Sequence, residues 1–400
     1  MKKMPKMLLL SRSVPPGVSG SSIIVSNLAK QFTRDEMVVL GAYKRNMPAV
    51  DWRPEYPKLG YATLQIGDGV RGERWVRWFQ LPLLLVSVLW TLYTQRCRIL
   101  LTVYPDMVYL FAGYLASVIS NKPLFVYFHN TLVQARPASS FARWLQAAVF
   151  KRARFVFVMS EGMRRLYTEL YPDLKCEPLV HSFNEQIPTF ESVAPRLRQT
   201  NDRLHIVFSG NLNSSNRGAV EVIAKMLPYL PDADVTIYTG THHQTFKNLG
   251  FEGDRIEITS VSRDILISKL AEADVLLLPH GFTDSFAEEE TRTIFPTKII
   301  EYLLAGRPIV AVLPQETFLA DFLKHHDCAV VVTKPDPVAL TEAIRRVQTD
   351  KALAEHLVRN ALNAVQQFYA PTVANELREG ILHHLNVGLK SKQVQSDTSV

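Results

Sequence analysis

What most constrains this chain is a pattern that runs, breaks off and starts again. Apolar runs of strand length alternate with longer helix-like segments, the arrangement of parallel sheets with helices on both faces. In the first half, Met7–Leu10, Met37–Leu40, Ile99–Tyr104, Leu124–Phe128 and Phe155–Met159 predict strands, with helices filling the gaps. A polar stretch rich in turn residues, NEQIPTFESVAPRLRQTNDR over 184–203, then interrupts the rhythm. It resumes with predicted strands at His205–Ser209, Asp234–Tyr238, Arg255–Ile258, Val275–Pro279 and Ile309–Val312, and predicted helices at Ala219–Leu227 and Ile265–Ala273. Three more helical patterns, Pro337–Val347, Leu353–Phe368 and Thr372–Leu385, precede the tail KSKQVQSDTSV.

The expected fold class is α/β, two doubly wound parallel-sheet domains in tandem. They are expected to face across a cleft, because ligands of open sheets bind outside the carboxyl ends of the strands. The expected boundaries are a first domain over 1–185, a linker over 186–204, a second domain over 205–368, a closing helix over 369–388 that packs back on the first domain, and a disordered tail over 389–400. At 400 residues the chain exceeds what one core usually organises. A content of 47% hydrophobic and 21% charged residues excludes the fibrous and disordered classes. Cys97, Cys176 and Cys328 are too far apart for a disulfide framework or a metal-ligand set, which fits a reducing, cytoplasmic compartment.

Two apolar stretches call for a decision about membranes. Met7 to Leu10 is too short for a signal-peptide core and reads as a first buried strand. WFQLPLLLVSVLWTLY, from Trp78 to Tyr93, contains Gln80 and Pro82 and falls short of the ~20 residues of a membrane span, so a buried helix is expected. The net charge of +7 suits an anionic partner, whether nucleic acid, anionic lipid or a phosphorylated small molecule. No G-x-x-x-x-G-K-[ST] loop, H-E-x-x-H or paired CxxC is present, and the D-x-D of Asp232 and Asp234 reads as a turn.

Candidate ligand positions gather where strands hand over to helices. After the first strand, SVPPGVSGSS over 13–22 leads into a helix with Ile24, Leu28 and Phe32 spaced by four. Gly17 and Gly20 let backbone approach a ligand and Ser21 or Ser22 can cap the helix; a tight turn with no ligand fits equally. GNLNSSNRG over 210–218 repeats the device, and Asn211 and Arg217 bracket a loop where a guanidinium either forks onto phosphate oxygens or stays solvated. His129 and Asn130 close the run LFVYFHN as ligand groups or as structural ones, and HSFNE over 181–185 is either hinge or ligand contact.

FPTKIIEYLLAGRPIV, over 295–310, is the most informative stretch. Pro296 suits the first turn of a helix, Lys298 and Glu301 share one face at i and i+3, and Gly306 stops the helix. The helix N-terminus with Lys298 makes a positive seat for a diphosphate, and Glu301 can accept hydrogen bonds from a vicinal diol such as ribose. An ordinary surface ion pair between Lys298 and Glu301 is the competing reading.

Taken in order, PPGVSGSS, FVYFHN, FVFVMSEGMRRLY, HSFNE, IVFSGNLNSSNRG, ADVLLLPH and FPTKIIEYLLAGRPIV resemble the GT-B-fold glycosyltransferases, specifically glycosyltransferase family 4 and its relatives, over nearly the whole chain. The resemblance implies a GT-B fold of two Rossmann-like domains, the first on the acceptor side. It implies a retaining transfer of a hexosyl unit from a UDP- or GDP-sugar to a glycan or lipid-linked acceptor, in cell-surface polysaccharide or glycolipid synthesis. No metal, no cofactor beyond the nucleotide-sugar substrate and no nucleic acid are implied. By motif, His129 is the catalytic candidate near the transferred sugar. The donor-binding set is Gly20, Gly210, Asn211, Arg217, Thr293, Pro296, Lys298 and Glu301, the last on the ribose.

The chain departs from that pattern twice: Thr293 stands where the family often has the first glutamate of its E-x(seven)-E signature, and Asn211 where it often has arginine. Glu288, Glu289 and Glu290 in the preceding loop are the nearest substitutes for the former. FARWLQAAVFKRARF, from Phe141 to Phe155, is basic and aromatic and suits either peripheral attachment to the inner face of the plasma membrane or an interior helix. A sugar-nucleotide epimerase or phosphorylase on the same fold, and a non-catalytic binding partner, are the alternative functions.

Overall fold

The computed structural model describes residues 4–17, 19–44, 52–65, 72–134, 138–193, 203–282 and 292–397. The chain divides into two units, Met1–Asn184 with Phe368–Val400, and Glu185–Gln367. The first carries seven strands: β1 (Met7–Leu10), β2 (Met37–Lys44), β3 (Lys58–Gln65), β4 (Ile99–Tyr104), β5 (Leu124–Phe128), β6 (Phe155–Val158) and β7 (Cys176–Pro178). They lie in the order β3-β2-β1-β4-β5-β6-β7, every pairing parallel. The second carries β8 (Leu204–Ser209), β9 (Ala233–Tyr238), β10 (Ile256–Thr259), β11 (Val275–Pro279), β12 (Ile309–Val312) and β13 (Val330–Val332), in the order β10-β9-β8-β11-β12-β13. In both sheets the chain builds outward from its first strand and then returns to that strand's other side. The order therefore reverses between β1 and β4, and again between β8 and β11.

Period-two alternation decides which face each β1 side chain serves. Leu8 and Leu10 join a core with Leu84, Val88 and Leu92 of the helix Leu81–Thr94, Leu110 of Met107–Ser120 and Leu145 of Ser140–Arg152. Met7 and Leu9 join the opposite core, with Ile24 and Leu28 of the helix Gly20–Ala29 and Val373, Leu377 and Ile381 of the last helix, Ala370–Asp397. That helix is tied to the first unit by Arg378, whose Nε lies 3.1 Å from Glu36 Oε1, and its Gly380 leaves room for Phe157. Its backbone continues through most of the stretch expected to be a disordered tail. After Gly388 the sequence contains neither glycine nor proline, so nothing in it breaks a helix.

Other expectations are corrected too. β3 and β7 were not legible, because β3 is an edge strand carrying Gly60 with only Ala62 buried, and β7 has three residues. The region Trp78–Tyr93 is two helices, Glu73–Phe79 and Leu81–Thr94, of which only one face is buried. The start of the expected linker is packed: Phe190 of the short helix Phe190–Val193 stacks under the Arg359 guanidinium, and Val193 O accepts from Arg307 Nη1 at 2.6 Å. Gly306, at φ +65, ends its helix as expected and has a second reason to be glycine, since a Cβ there would lie 2.4 Å from that of Val193. Asp232 and Asp234 pair with Arg345 and Arg203.

Candidate functional site

In the second unit, two of the residues expected to bind a donor, Gly210 and Lys298, meet where the strand order reverses. β8 ends in Ser209 and is followed by Gly210, at φ +123, and β11 ends in Pro279. Between them stands the helix Lys298–Leu304, clamped by its buried Tyr302, whose Oη accepts from Ser209 N at 2.8 Å and donates to Leu277 O at 2.9 Å. Lys298 extends back across the strand ends: its Nζ donates to Pro279 O at 3.3 Å, and a Cβ on Gly210 would sit 3.7 Å from that ammonium. Desolvation lowers the Lys298 pKa to about 8, with Glu301 acting weakly in the opposite sense. The lysine nevertheless keeps some accessible surface.

Glu301 is buried, and its partner is a residue the sequence did not suggest. Arg263, at the start of the helix Arg263–Leu270, places Nη2 3.1 Å from Glu301 Oε1. The ordinary Lys298–Glu301 ion pair is therefore absent from the described ion pairs. Burial raises the Glu301 pKa, Arg263 and Lys298 lower it, and Glu185 raises it further. No sequence spacing links residues 263 and 301; only the fold of the unit joins them.

The loop after β8 is braced internally. Asn216 Nδ2 donates to Asn211 O at 3.0 Å and its Oδ1 accepts from Asn213 N at 2.9 Å; Gly281 N donates to Ser215 O at 2.6 Å. Gly218 must be glycine, because a Cβ there would lie 2.2 Å from Phe282 O. Asn211 Oδ1 accepts from Gly240 N at 2.8 Å, so its side chain serves the loop. Arg217, exposed at the start of its helix, pairs with Glu221 at 3.1 Å. Thr293 is buried, and Pro296 O accepts from Ile299 N at 3.1 Å, one turn ahead of the helix proper. Glu288, Glu289 and Glu290 lie outside the described residues.

The first unit holds Gly20 and His129. Gly20 is the first residue of its helix, but the cap is Ser19, whose Oγ accepts from Ser22 N at 3.3 Å; the expected Ser21 or Ser22 cap is corrected by one turn geometry. The close-packed glycine of that loop is Gly17, where a Cβ would meet Ser22 Oγ at 2.5 Å. His129 follows β5 and is 1% exposed, its ring edge-on to Tyr127 at 4.3 Å. Neither ring nitrogen has a hydrogen-bond partner among the described residues. Burial and neighbouring His181 push its pKa well down, so the ring is neutral at pH 7. Phe183 N donates to Phe368 O at 3.1 Å and Ala370 N to Phe183 O at 2.9 Å, so the 181–185 stretch anchors the returning helix.

Half-buried Lys298 thus stands at the switch point of a parallel sheet, one turn from buried Glu301, and residues 203–350 match the family model described as glycosyl transferases group 1. Solved structures share the GT-B fold of the chain. Sucrose-phosphate synthase from Thermosynechococcus elongatus superposes with a TM-score of 0.73 at 17% identity, covering 97% of this chain and 100% of that one. HepE of Anabaena, solved with UDP-glucose, gives 0.68 at 18% identity over 95% and 100%. The lipopolysaccharide outer core galactosyltransferase WaaB gives 0.66 at 14% identity over 94% and 99%. No curated protein sequence matches the chain.

Proposed function

We propose that the protein is a retaining, metal-independent hexosyltransferase of glycosyltransferase family 4, taking a UDP- or GDP-sugar as donor and a glycan or lipid-linked acceptor. We place it in cell-surface polysaccharide or glycolipid synthesis, on the cytoplasmic side and at the inner face of the plasma membrane. The observation that carries the reading is Lys298, within the matched residues 203–350, desolvated to a pKa of about 8 and held to the β11 end by a single carbonyl. A diphosphate offers that ammonium a direct counter-charge, which no carboxylate among the described ion pairs gives it. Because the lysine is charged below about pH 8, it stabilises the leaving nucleoside diphosphate as negative charge develops on it. Glu301, held by Arg263, accepts from the ribose diol. His129 is the first unit's catalytic candidate, since a neutral imidazole whose nitrogens have no hydrogen-bond partner among the described residues can give or take a hydrogen bond at a sugar hydroxyl.

HepE, a fold neighbour, was solved with UDP and glucose and with UDP-glucose, which supports a UDP-sugar as the first donor to try. The test is a thermal-shift series with UDP, GDP, ADP and their sugars. One nucleotide class should raise the melting temperature, Glu301→Ala and Lys298→Ala should abolish the shift, and an unchanged shift in both variants rejects the site. Transfer with EDTA present, giving a product with the donor's anomeric configuration by NMR, tests the mechanism. Loss of nucleotide sugar with no acceptor-dependent product would favour the epimerase or phosphorylase alternative.

A further inference from the structure

The cation that holds Glu301 reaches it from the surface. β10 pairs parallel with β9, and β9 with β8, so the carboxyl end of β10 lies on the same edge of the sheet as Gly210 and Lys298. From that end Ser260, Val261 and Ser262 carry the chain to Arg263, the first residue of its helix. The arginine side chain is 48% exposed and that of Glu301 11%, so the ion pair joins a carboxylate inside the protein to a guanidinium at its rim. Arg263 Nη2 lies 3.1 Å from Oε1, and Oε2 has no hydrogen-bond partner among the described residues. One oxygen of a buried acid is thus taken, and the other is left for a ligand.

The charge state of that acid depends on the arginine. Burial raises the Glu301 pKa and favours the neutral form; Arg263 is the strongest influence toward the anion, with Lys298 a weaker one and Glu185 opposed to both. Tyr302, next along the helix, is buried with its own pKa raised, so it adds no charge. The two forms of Glu301 treat a ribose differently. The anion accepts charge-assisted hydrogen bonds from the diol, and a missing hydroxyl leaves a desolvated charge unpaired. A neutral carboxyl forms weaker bonds and loses less when a hydroxyl is absent. Sites built to pair with a ligand hydroxyl discriminate against the analogue without it for this reason.

We propose that Arg263 is a positioning residue that sets the preference of the donor site for ribonucleotides over deoxyribonucleotides, by holding Glu301 as an anion with one oxygen left for the ribose diol. Sugars carried on deoxyribonucleoside diphosphates are thereby disfavoured as donors. The inference rests on the donor site proposed above and names what fixes its choice of pentose.

The test is titration calorimetry of the full chain with UDP and 2′-deoxy-UDP, and in parallel with GDP and 2′-deoxy-GDP. For the pair that binds, wild type should prefer the ribose form about 30-fold, the value of a hydrogen bond to a charged group, and Arg263→Met should cut this to about fivefold, that of a neutral one. Arg263→Lys, which keeps the charge, should fall between. A variant that merely loosens the fold weakens both nucleotides together and leaves their ratio intact. Raising the pH should restore the ratio in Arg263→Met by ionising Glu301, whereas Glu301→Gln should show the low ratio at every pH. Adding Arg263→Met to Glu301→Gln should lower it no further. A ratio unchanged in both Arg263 variants overturns the proposal, and so does a further drop in the double variant, since the arginine then meets the ribose itself. If Glu301→Gln leaves every affinity and ratio as in wild type, or neither pair binds, the donor site fails and takes this proposal with it. If Glu301→Gln lowers the ratio and the Arg263 variants do not, this proposal fails alone.

Discussion

The two sheets share a topology and differ in what fills the point where it reverses. Between β1 and β4, Arg12 and Arg77 meet Glu73 and Asp106, with Arg12 Nη2–Glu73 at 2.7 Å and Arg77 Nη1–Asp106 at 3.2 Å. Two cations face two anions around a cavity of about 20 Å³, room for one water. Between β8 and β11, Lys298 has no carboxylate among the described ion pairs and rests on a carbonyl. The same fold thus yields one switch point neutralised by ion pairs of the chain itself and another whose cation is in none of the described ion pairs. The first thereby adds to stability, and the second is where the proposed donor diphosphate would supply the counter-charge.

The largest expected effect separates those two roles. Lys298→Met should weaken UDP binding by about 100-fold, the loss of a desolvated charge-assisted contact, while raising the stability of the ligand-free protein. A pKa near 8 against the ordinary 10.5 measures the burden of the buried charge. Allowing for the lysine's remaining accessible surface, the gain should be about 1–3 kcal/mol. It is full below pH 8 and fades toward pH 10.5, where the unfolded chain also loses the proton. Calorimetry and urea denaturation check both signs; a variant less stable than wild type would contradict the assignment.

At the first switch point the signs differ. Asp106→Ala should destabilise by about 2–4 kcal/mol, because it strips Arg12 and Arg77 of a buried partner and removes the cap that accepts from Val108 N and Tyr109 N. UDP affinity should not change. Urea midpoints and a UDP titration on the same variant would break the comparison if affinity fell with stability.

The pH profile sharpens the contrast. A bound diphosphate holds Lys298 charged above its free pKa of about 8, so binding takes up a proton there. UDP affinity should be flat up to about pH 8 and then fall, by at most about tenfold per unit. Titration calorimetry from pH 6 to 10 reads this directly, and the slope should vanish in Lys298→Met.

How much of this was legible follows from distance along the chain. Buried strands are apolar runs, and Gly306 and the Lys298/Glu301 pair are local spacings, so they showed in the sequence. Arg263, which holds Glu301 from 38 positions away, and Tyr302, which ties β8 to β11, act through pairings that no window contains. The half-buried helix Leu81–Thr94 was misread for another reason. An apolar stripe looks the same whether protein or something else lies against it, and only the packed fold shows which side is left bare.

The smallest expected effect asks whether the second switch point uses one cation or two. Arg217 is held by Glu221 on an exposed helix face, an ion pair worth a few tenths of a kcal/mol, so Arg217→Ala should barely move stability. If the guanidinium stays there in the complex, UDP affinity changes by less than about threefold, within the reach of a screened surface charge. Should it leave Glu221 for the diphosphate, Glu221→Gln would tighten UDP binding by releasing it, and Arg217→Ala would weaken binding nearer to tenfold, the value of a charge-assisted hydrogen bond. Surface resonance titrations of the two single variants and the double variant decide between these outcomes. With a shared pathway the double variant matches Arg217→Ala, and with independent roles the two effects add.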